Sequence, residues 1–394
     1  MGVFAAVMTG KGTGAISTIR VFGDSTEAVV KKVFKPAAGK PVVFEPGRIL
    51  SGNVVDHGRT VDQVILGCEG RDNLAIHCHG NPLIVEMIME LLAGGGAQLI
   101  EPEQLMAKLL SAQKPANTIA LEAKLTQSKA MTIEGARIVL NQVTEGLSKT
   151  ARQWLDDFES ASLEDIKQQA GRILRRSQPA KLIIFGCTAV IAGPPNSGKS
   201  TLLNYLSGKQ KAIVTDISGT TRDWVGARCK IGPLSVELID TAGLDEALDG
   251  RAGGAIERAA QQKAIEVLER ADLILVVLDS SIADNRLSER LVKAIAGKRV
   301  LTVLNKSDLD RGFDARKLPQ LFQRNVLISA KYGAGIDNLS KTIVHLCGAA
   351  DFDPRAAVCV TARQEELVVQ LHKAESPKQA ASVINELLNA PLRV

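Results

Sequence analysis

The spacing of apolar positions changes along the chain, and each change marks a different kind of element. Up to about residue 110, short apolar runs alternate with polar turns. Residues 3–8 and 15–21 are two such runs around Gly10-Lys11-Gly12-Thr13-Gly14, which predicts two strands and a glycine turn. Asp24 to Phe34 reads as a helix behind an Asp/Ser cap. Further strands are expected near 49–56, 61–67 and 73–78, then a helix from about 82 to 93 ended by Gly94-Gly95-Gly96. Residues 1–115 thus read as an α+β N-terminal domain. From 116 to 181 the steps lengthen to three and four residues, through Leu121, Leu125, Ile133, Arg137, Leu140, Val143 and Leu147, then Trp154-Leu155, Ile166, Ala170 and Ile173. That is a helical pattern. Residues 182–349 alternate strand with helix. Apolar runs end there at Ile239, Leu278, Leu304 and Ile328, and Gly232-Pro233 splits 227–239 into an antiparallel hairpin. Helical spacing returns over 350–394, in Arg363 to His372 and Pro377 to Leu388. The expected architecture is an α/β domain with a mostly parallel sheet, inserted into a helical domain and preceded by the α+β domain.

Composition narrows the class. A chain of 394 residues is too long for one ordinary core, and 45% apolar with 23% charged residues suits globular rather than disordered structure. Two Trp and two Tyr argue against an aromatic base-stacking surface. A net charge of +5 is compatible with an RNA partner but does not argue for one. The six cysteines form no CxxC pair and read as reduced thiols. No stretch approaches about eighteen apolar residues, and Met1-Gly2-Val3-Phe4-Ala5-Ala6 has neither a basic leader nor a myristoylation motif. No membrane association is expected, and the cytoplasm is the expected location. His77-Cys78-His79 invites a metal reading. Adjacent strand positions face opposite ways, however, and no second cluster completes a tetrahedron, so a structural turn ahead of a helix is expected. Lys167, Arg172, Arg175, Arg176 and Lys181 form a basic stretch that could grip RNA phosphates; a solvated helix face is the commoner meaning.

The chemistry centres on Gly193-Pro194-Pro195-Asn196-Ser197-Gly198-Lys199-Ser200. The apolar run 188–192 leads in and Thr201-Leu202-Leu203-Asn204 leads out, giving the strand, glycine loop and helix start of a phosphate-binding P-loop. Backbone N–H groups and the helix N-terminus would face phosphate oxygens. Lys199 would reach the β- and γ-phosphates, and the Ser200 hydroxyl would join the shell of a Mg²⁺ ion. Asp240-Thr241-Ala242-Gly243 ends a later strand: Asp240 suits Mg²⁺, and the Gly243 N–H suits the γ-phosphate. Thr220 or Thr221, upstream, would close over the metal. In Asn305-Lys306-Ser307-Asp308, the Asp308 carboxylate can accept two hydrogen bonds from guanine N1 and N2, which adenine cannot offer. Ser329-Ala330-Lys331 matches a backbone contact to guanine O6. The ordered set predicts a GTP-binding, GTP-hydrolysing domain. Residue 244, where a Ras-type switch places its water-orienting Gln, is Leu.

The P-loop, residues 213–223 (Ile213 to Asp223) and Asp240-Thr241-Ala242-Gly243-Leu244 resemble the MnmE (TrmE) family, the tRNA-modifying GTPases of bacteria and organelles. Gly14 to Gly23, with Arg20, and Ile76-His77-Cys78-His79-Gly80 are similar to that family's N-terminal domain. The resemblance implies an α/β P-loop GTPase domain (182–349) inserted into a helical domain (116–181 and 350–394), after an N-terminal domain of the TrmE type (1–115). It also implies that Asn196 helps bind K⁺, with a loop at about 212–219 closing that site. A cation beside the phosphates would supply charge otherwise given by an arginine finger. Ungapped alignment back from Ala271-Asp272 puts the family's water-positioning Glu at Glu257, with extra glycine-rich residues from Gly250 to Gly254 ahead of it. Glu257 and Lys199 are then the catalytic candidates. The implied partners are a second copy of the chain, an MnmG-type FAD-binding partner, tRNA and a tetrahydrofolate one-carbon donor.

Two departures stand out. After Glu101-Pro102 the family's Gly-Glu-Phe-Thr signature is replaced by Glu103-Gln104-Leu105-Met106. The family also ends in a Cys-x-Gly-Lys tail, where this sequence reads Asn389-Ala390-Pro391-Leu392-Arg393-Val394. Two functions are therefore carried forward. One is GTP hydrolysis coupled to modification of the tRNA wobble uridine. The other is a regulatory or assembly GTPase that hydrolyses GTP and no longer supports modification, which the missing tail and the replaced signature would favour.

Overall fold

The computed structural model describes residues 2–10, 12–37, 43–113, 115–156, 162–209, 226–240, 265–285, 287 and 289–391. The chain divides into two compact units, Met1–Leu121 and Glu122–Ala390.

The first unit is built on strands β1 (Val3–Val7), β2 (Ile16–Phe22), β3 (Phe34–Pro36), β4 (Ile49–Asp56), β5 (Arg59–Gly70), β6 (Asn73–His79) and β7 (Ala97–Leu99). They form one sheet in the order β3-β4-β5-β6-β2-β1-β7, antiparallel except where β7 runs parallel to β1. Helices α1 (Thr26–Val33) and α2 (Pro82–Gly94) pack on one face. Asn81 accepts a bond from Leu83 N at 3.0 Å, so α2 starts from a capped end with Pro82 in its first turn. Alternation decides what each face holds: Val64, Leu66, Cys68, Leu74, Ile76, Ile19 and Val21 point into the core with Ile88 and Leu92. The opposite face is covered at β1 by Leu105 and Leu109 of α3 (Pro102–Ala112). Farther along the sheet it presents Ile16, Ile49 and Ile65, which are 64%, 76% and 51% exposed.

His77-Cys78-His79 is the end of β6, not the turn expected from the sequence. The strand period sends Cys78 into the core and the two histidines the other way. Thr18 Oγ1 shares a 3.0 Å bond with His77 Nδ1, and His79 Nδ1 donates to the buried Asp62 at 2.7 Å.

The second unit opens with helices: α4 (Thr118–Gln127, which carries the unit boundary), α5 (Ile133–Thr144), α6 (Gly146–Asp156) and α7 (Leu163–Phe185). Then come β8 (Cys187–Ala192), α8 (Lys199–Lys209), β9 (Gly226–Ile231), β10 (Leu234–Asp240), β11 (Leu273–Asp279), α9 (Glu289–Ala294), β12 (Val300–Asn305), β13 (Asn325–Leu327) and α10 (Ile336–Leu346), followed by α11 (Ala362–His372) and α12 (Pro377–Asn389). The sheet order is β13-β12-β11-β8-β10-β9. All neighbours are parallel except β9, which pairs with β10 as the expected hairpin. β11 and β12 are buried along their whole length, as strands covered on both faces must be.

Helices from the two ends of this unit pack together, α7 on α11 and α6 on α12. Two buried polar side chains fasten them. Gln142 donates to Ile138 O and Ala356 O and accepts from Leu147 N and Val358 N, so all four of its bonding positions are used. The Glu122 carboxylate, 4% exposed, accepts from Arg363 Nε (2.8 Å) and Nη2 (2.9 Å), Thr361 Oγ1 (3.0 Å) and Gln364 Nε2 (2.7 Å). In α5 the buried stripe runs through Ile138, Val139 and Gln142, leaving Ile133 and Leu140 exposed. The polar Gln142 belongs to the core because its partners are there, a choice that hydrophobic spacing cannot reveal.

Candidate functional site

The site lies at the carboxyl ends of β8, β10, β11 and β12. β8 has β10 on one side and β11 on the other, so the chain reverses its direction of progress across the sheet there, and loops on either side diverge to leave a crevice. The loop after β8 is held tightly. At Gly193 φ is +144°, and a Cβ would sit 2.1 Å from Val277 O; at Gly198 φ is +93°, and a Cβ would sit 2.2 Å from Asn305 Nδ2. Only glycine satisfies both the dihedral and the close approach. Asn196 is also left-handed, at φ +59°, and lies exposed on the loop. Lys199 is buried, and its ammonium donates to Gly193 O at 2.6 Å and Pro194 O at 3.0 Å, which places the charge within its own loop. α8 begins at Lys199, so its first N–H groups, with those of the loop, face the same concavity.

Ser200 Oγ donates to Asp240 Oδ2 at 2.7 Å, joining the start of α8 to the end of β10. A hydroxyl and a carboxylate at this distance are hard oxygen donors of the kind that suit Mg²⁺ beside phosphates. Asn305 spans two loops. Its Nδ2 donates to Ser197 O at 2.9 Å, and its Oδ1 accepts from Ala330 N at 2.9 Å. Asp308, at the rim, accepts from Ser329 Oγ at 2.5 Å. The loop carrying Ser329, Ala330 and Lys331 is closed by Ser329 N to Ala334 O (2.9 Å) and Gly333 N to Ser329 O (2.7 Å). Lys331 lies on the surface, with its ammonium 5.0 Å from the centre of the Tyr332 ring. Thr201 is exposed in the first turn of α8.

Thus Gly193, Asn196, Ser197, Gly198, Lys199, Ser200, Thr201, Asp240, Asn305, Lys306, Asp308, Ser329, Ala330 and Lys331 occupy loops and element ends along one sheet edge. Thr220, Thr221, Gly243, Leu244, the loop at 212–219, Gly250 to Gly254 and Glu257 lie outside the described residues. One neighbour went unnoticed in the sequence. Asp279, the last residue of β11, accepts from Lys306 Nζ at 2.5 Å and from Ser281 N and Oγ at 2.9 and 2.6 Å. Burial pushes its carboxyl up, and the bonds from Lys306 and Ser281 outweigh that, holding it below the usual carboxylate range. The signal was available: β10, β11 and β12 end in Asp240, Asp279 and Asn305, a polar residue closing each apolar run.

A P-loop, a hydroxyl–carboxylate pair and an Asn305-Lys306-Ser307-Asp308 loop, in this order on a parallel sheet with one antiparallel edge, define a P-loop GTPase. The family model described as the 50S ribosome-binding GTPase matches residues 188–306, and the one described as the GTP-binding protein TrmE N-terminus matches residues 3–104. Over most of its length the chain is similar to proteins named tRNA modification GTPase MnmE. The one from Heliobacterium modesticaldum is 31% identical over 92% of this chain and 86% of its own. The one from Geobacillus kaustophilus is 30% identical over 87% and 81%. The one from Lachnoclostridium phytofermentans is 27% identical over 97% and 90%. The chain belongs to the MnmE family of tRNA modification GTPases.

Proposed function

We propose that the chain hydrolyses GTP at the edge of the six-stranded sheet and couples that cycle to modification of the tRNA wobble uridine. The observation that carries the guanine reading is the pair of hydrogen bonds by which Asn305 donates to Ser197 O and accepts from Ala330 N. It fixes the phosphate loop and the base-reading loops in one frame, with Asp308 beside them to accept from guanine N1 and N2 and the Ala330 region to meet O6. Lys199 and the N-terminus of α8 orient the phosphates. Ser200, Asp240 and Thr221 are the residues that would hold Mg²⁺, which when bound neutralises charge building on the β- and γ-phosphate oxygens. The Asn196 amide oxygen, on the exposed turn of the loop, suits K⁺, and Leu244 has no group to orient water. Glu257 is assigned that task.

The helices that flank the sheet in sequence, 116–181 and 350–394, are read as one domain into which the GTPase domain, 182–349, is inserted; their mutual packing through Glu122 and Gln142 supports this. The N-terminal domain, 1–115, offers the apolar positions Ile16, Ile49 and Ile65 for a second copy of the chain. On the same face, Arg20 donates to Asn73 Oδ1 at 3.0 Å, and His77 lies close by. These polar groups suit a tetrahydrofolate one-carbon donor. An MnmG-type FAD-binding partner and tRNA complete the proposed assembly, located in the cytoplasm. Among the described residues no helix is long and apolar enough to cross a membrane. The rival reading, a regulatory GTPase without modification, gains no specific support from the fold or the relatives. Hydrolysis measured with GTP and ATP, each in K⁺ and in Na⁺, tests the assignment: fast turnover with GTP in K⁺ alone is expected, and equal use of ATP would overturn it.

A further inference from the structure

Lys306 and Asp308 stand two residues apart in one loop with opposite charges, and Asp308 is the group that must remain an anionic acceptor for the base. A lysine so placed is a competitor for that carboxylate. In this structure it is turned away. Lys306, left-handed at φ +65°, donates to Asp279 Oδ2 at 2.5 Å, across the β11–β12 pair whose register sets Asp279 opposite Asn305. The Asp279 side chain is 9% exposed and that of Lys306 32%, so the carboxylate is buried and the lysine half-buried. Asp279 is itself fixed. Ser281 N and Oγ bond its other oxygen, while Asn285 accepts from Asp279 N and donates to Asp279 O, both at 2.9 Å. Asp308 meanwhile is bonded by a neutral donor, the Ser329 hydroxyl.

We infer that Asp279 is a positioning residue for base selection: it engages the Lys306 ammonium so that Lys306 does not occupy Asp308, leaving that carboxylate open to guanine N1 and N2. The inference rests on the guanine reading above. A charge-assisted hydrogen bond contributes enough to change affinity by roughly ten- to a hundredfold. Loss of the Asp279 charge should therefore shrink the contribution of the guanine 2-amino group more than that of the phosphates.

The test is the affinity of the full chain for GDP and for IDP, which lacks the 2-amino group, by equilibrium titration. The parent should prefer GDP by about tenfold or more. Asp279→Asn should bind GDP less tightly, with the preference narrowed to within about threefold, and Asp279→Glu should stay near the parent. Asp279→Asn combined with Lys306→Met should recover the preference even at lower overall affinity, because the competing charge is gone. If Asp279→Asn weakens GDP and IDP by the same factor, or if the double variant fails to recover the ratio, Asp279 merely buttresses the loop and the inference is overturned. A parent without a GDP preference would instead overturn the guanine reading itself.

Discussion

The two sheets of this protein distribute their polar residues in different ways. In the second unit β11 and β12 are covered on both faces, so almost every side chain along them is apolar and the polar groups gather where the strands stop, at Asp279 and Asn305, next to Asp240 at the end of the alternating β10. In the first unit helices cover one face well. The other carries Thr18, Arg20, His77 and His79 beside Ile16, Ile49 and Ile65. A doubly covered parallel sheet concentrates chemistry at one edge, whereas a half-covered antiparallel sheet spreads it over a face. The edge suits a small ligand gripped by loops; the face suits a second surface.

The largest effect is expected at the edge. On the proposed reading, Asp308→Asn replaces one of the two accepting oxygens by an NH₂ donor and removes the charge that assists two bonds of about 1.5–3 kcal/mol each, so GTP affinity should fall by at least about a hundredfold and xanthosine triphosphate should improve. Unchanged GTP affinity in a titration would break the contrast. Among the helices, Glu122→Ala leaves Arg363 partly buried without its carboxylate, and a loss of about 3–5 kcal/mol is expected in urea unfolding. The first sheet offers a paired comparison. Leu66→Ala, on the covered face, should cost about 2–5 kcal/mol, while Ile65→Ala, its neighbour on the open face, should stay within about 0.5 kcal/mol. Ile65→Ala should instead weaken self-association by sedimentation; equal destabilisation by both substitutions would mean that the open face is closed within the monomer.

The smallest effect concerns pH. Asp279 is held below the usual carboxylate range, so it stabilises the folded state above that range and the contribution is lost as pH falls through its lowered value. Asp279→Asn should flatten the acid limb of stability against pH, and an unchanged limb would place the acid sensitivity in other carboxylates.

The edge was far easier to read from sequence than the face. A P-loop and a base-reading loop are short and contiguous, because backbone N–H groups and one or two side chains do the binding; Gly193, Gly198, Lys199, Asn305 and Asp308 announce themselves. Several helix and strand positions in the first unit also followed from spacing, as for β2 and α2, whereas β3, β7 and α3 were not expected and the Asp/Ser cap read ahead of α1 makes no side-chain bond. Less legible were features that depend on partners far away in sequence. Gln142 reads as polar surface until Ala356 and Val358 arrive beside it, and Asp279 reads as the residue after an apolar run until Lys306 reaches it. His77-Cys78-His79 read as a turn because histidine says little about strand or loop, and the pairing of β6 with β2 and β5 decided it.

The most direct test of the proposed function is complementation of a bacterial strain lacking its own MnmE, read by mass spectrometry of tRNA nucleosides. The modified wobble uridine should return with the parent chain and remain absent with Asp308→Asn. A parent chain that hydrolyses GTP normally yet leaves the uridine unmodified would contradict the coupling proposed here and favour the regulatory GTPase.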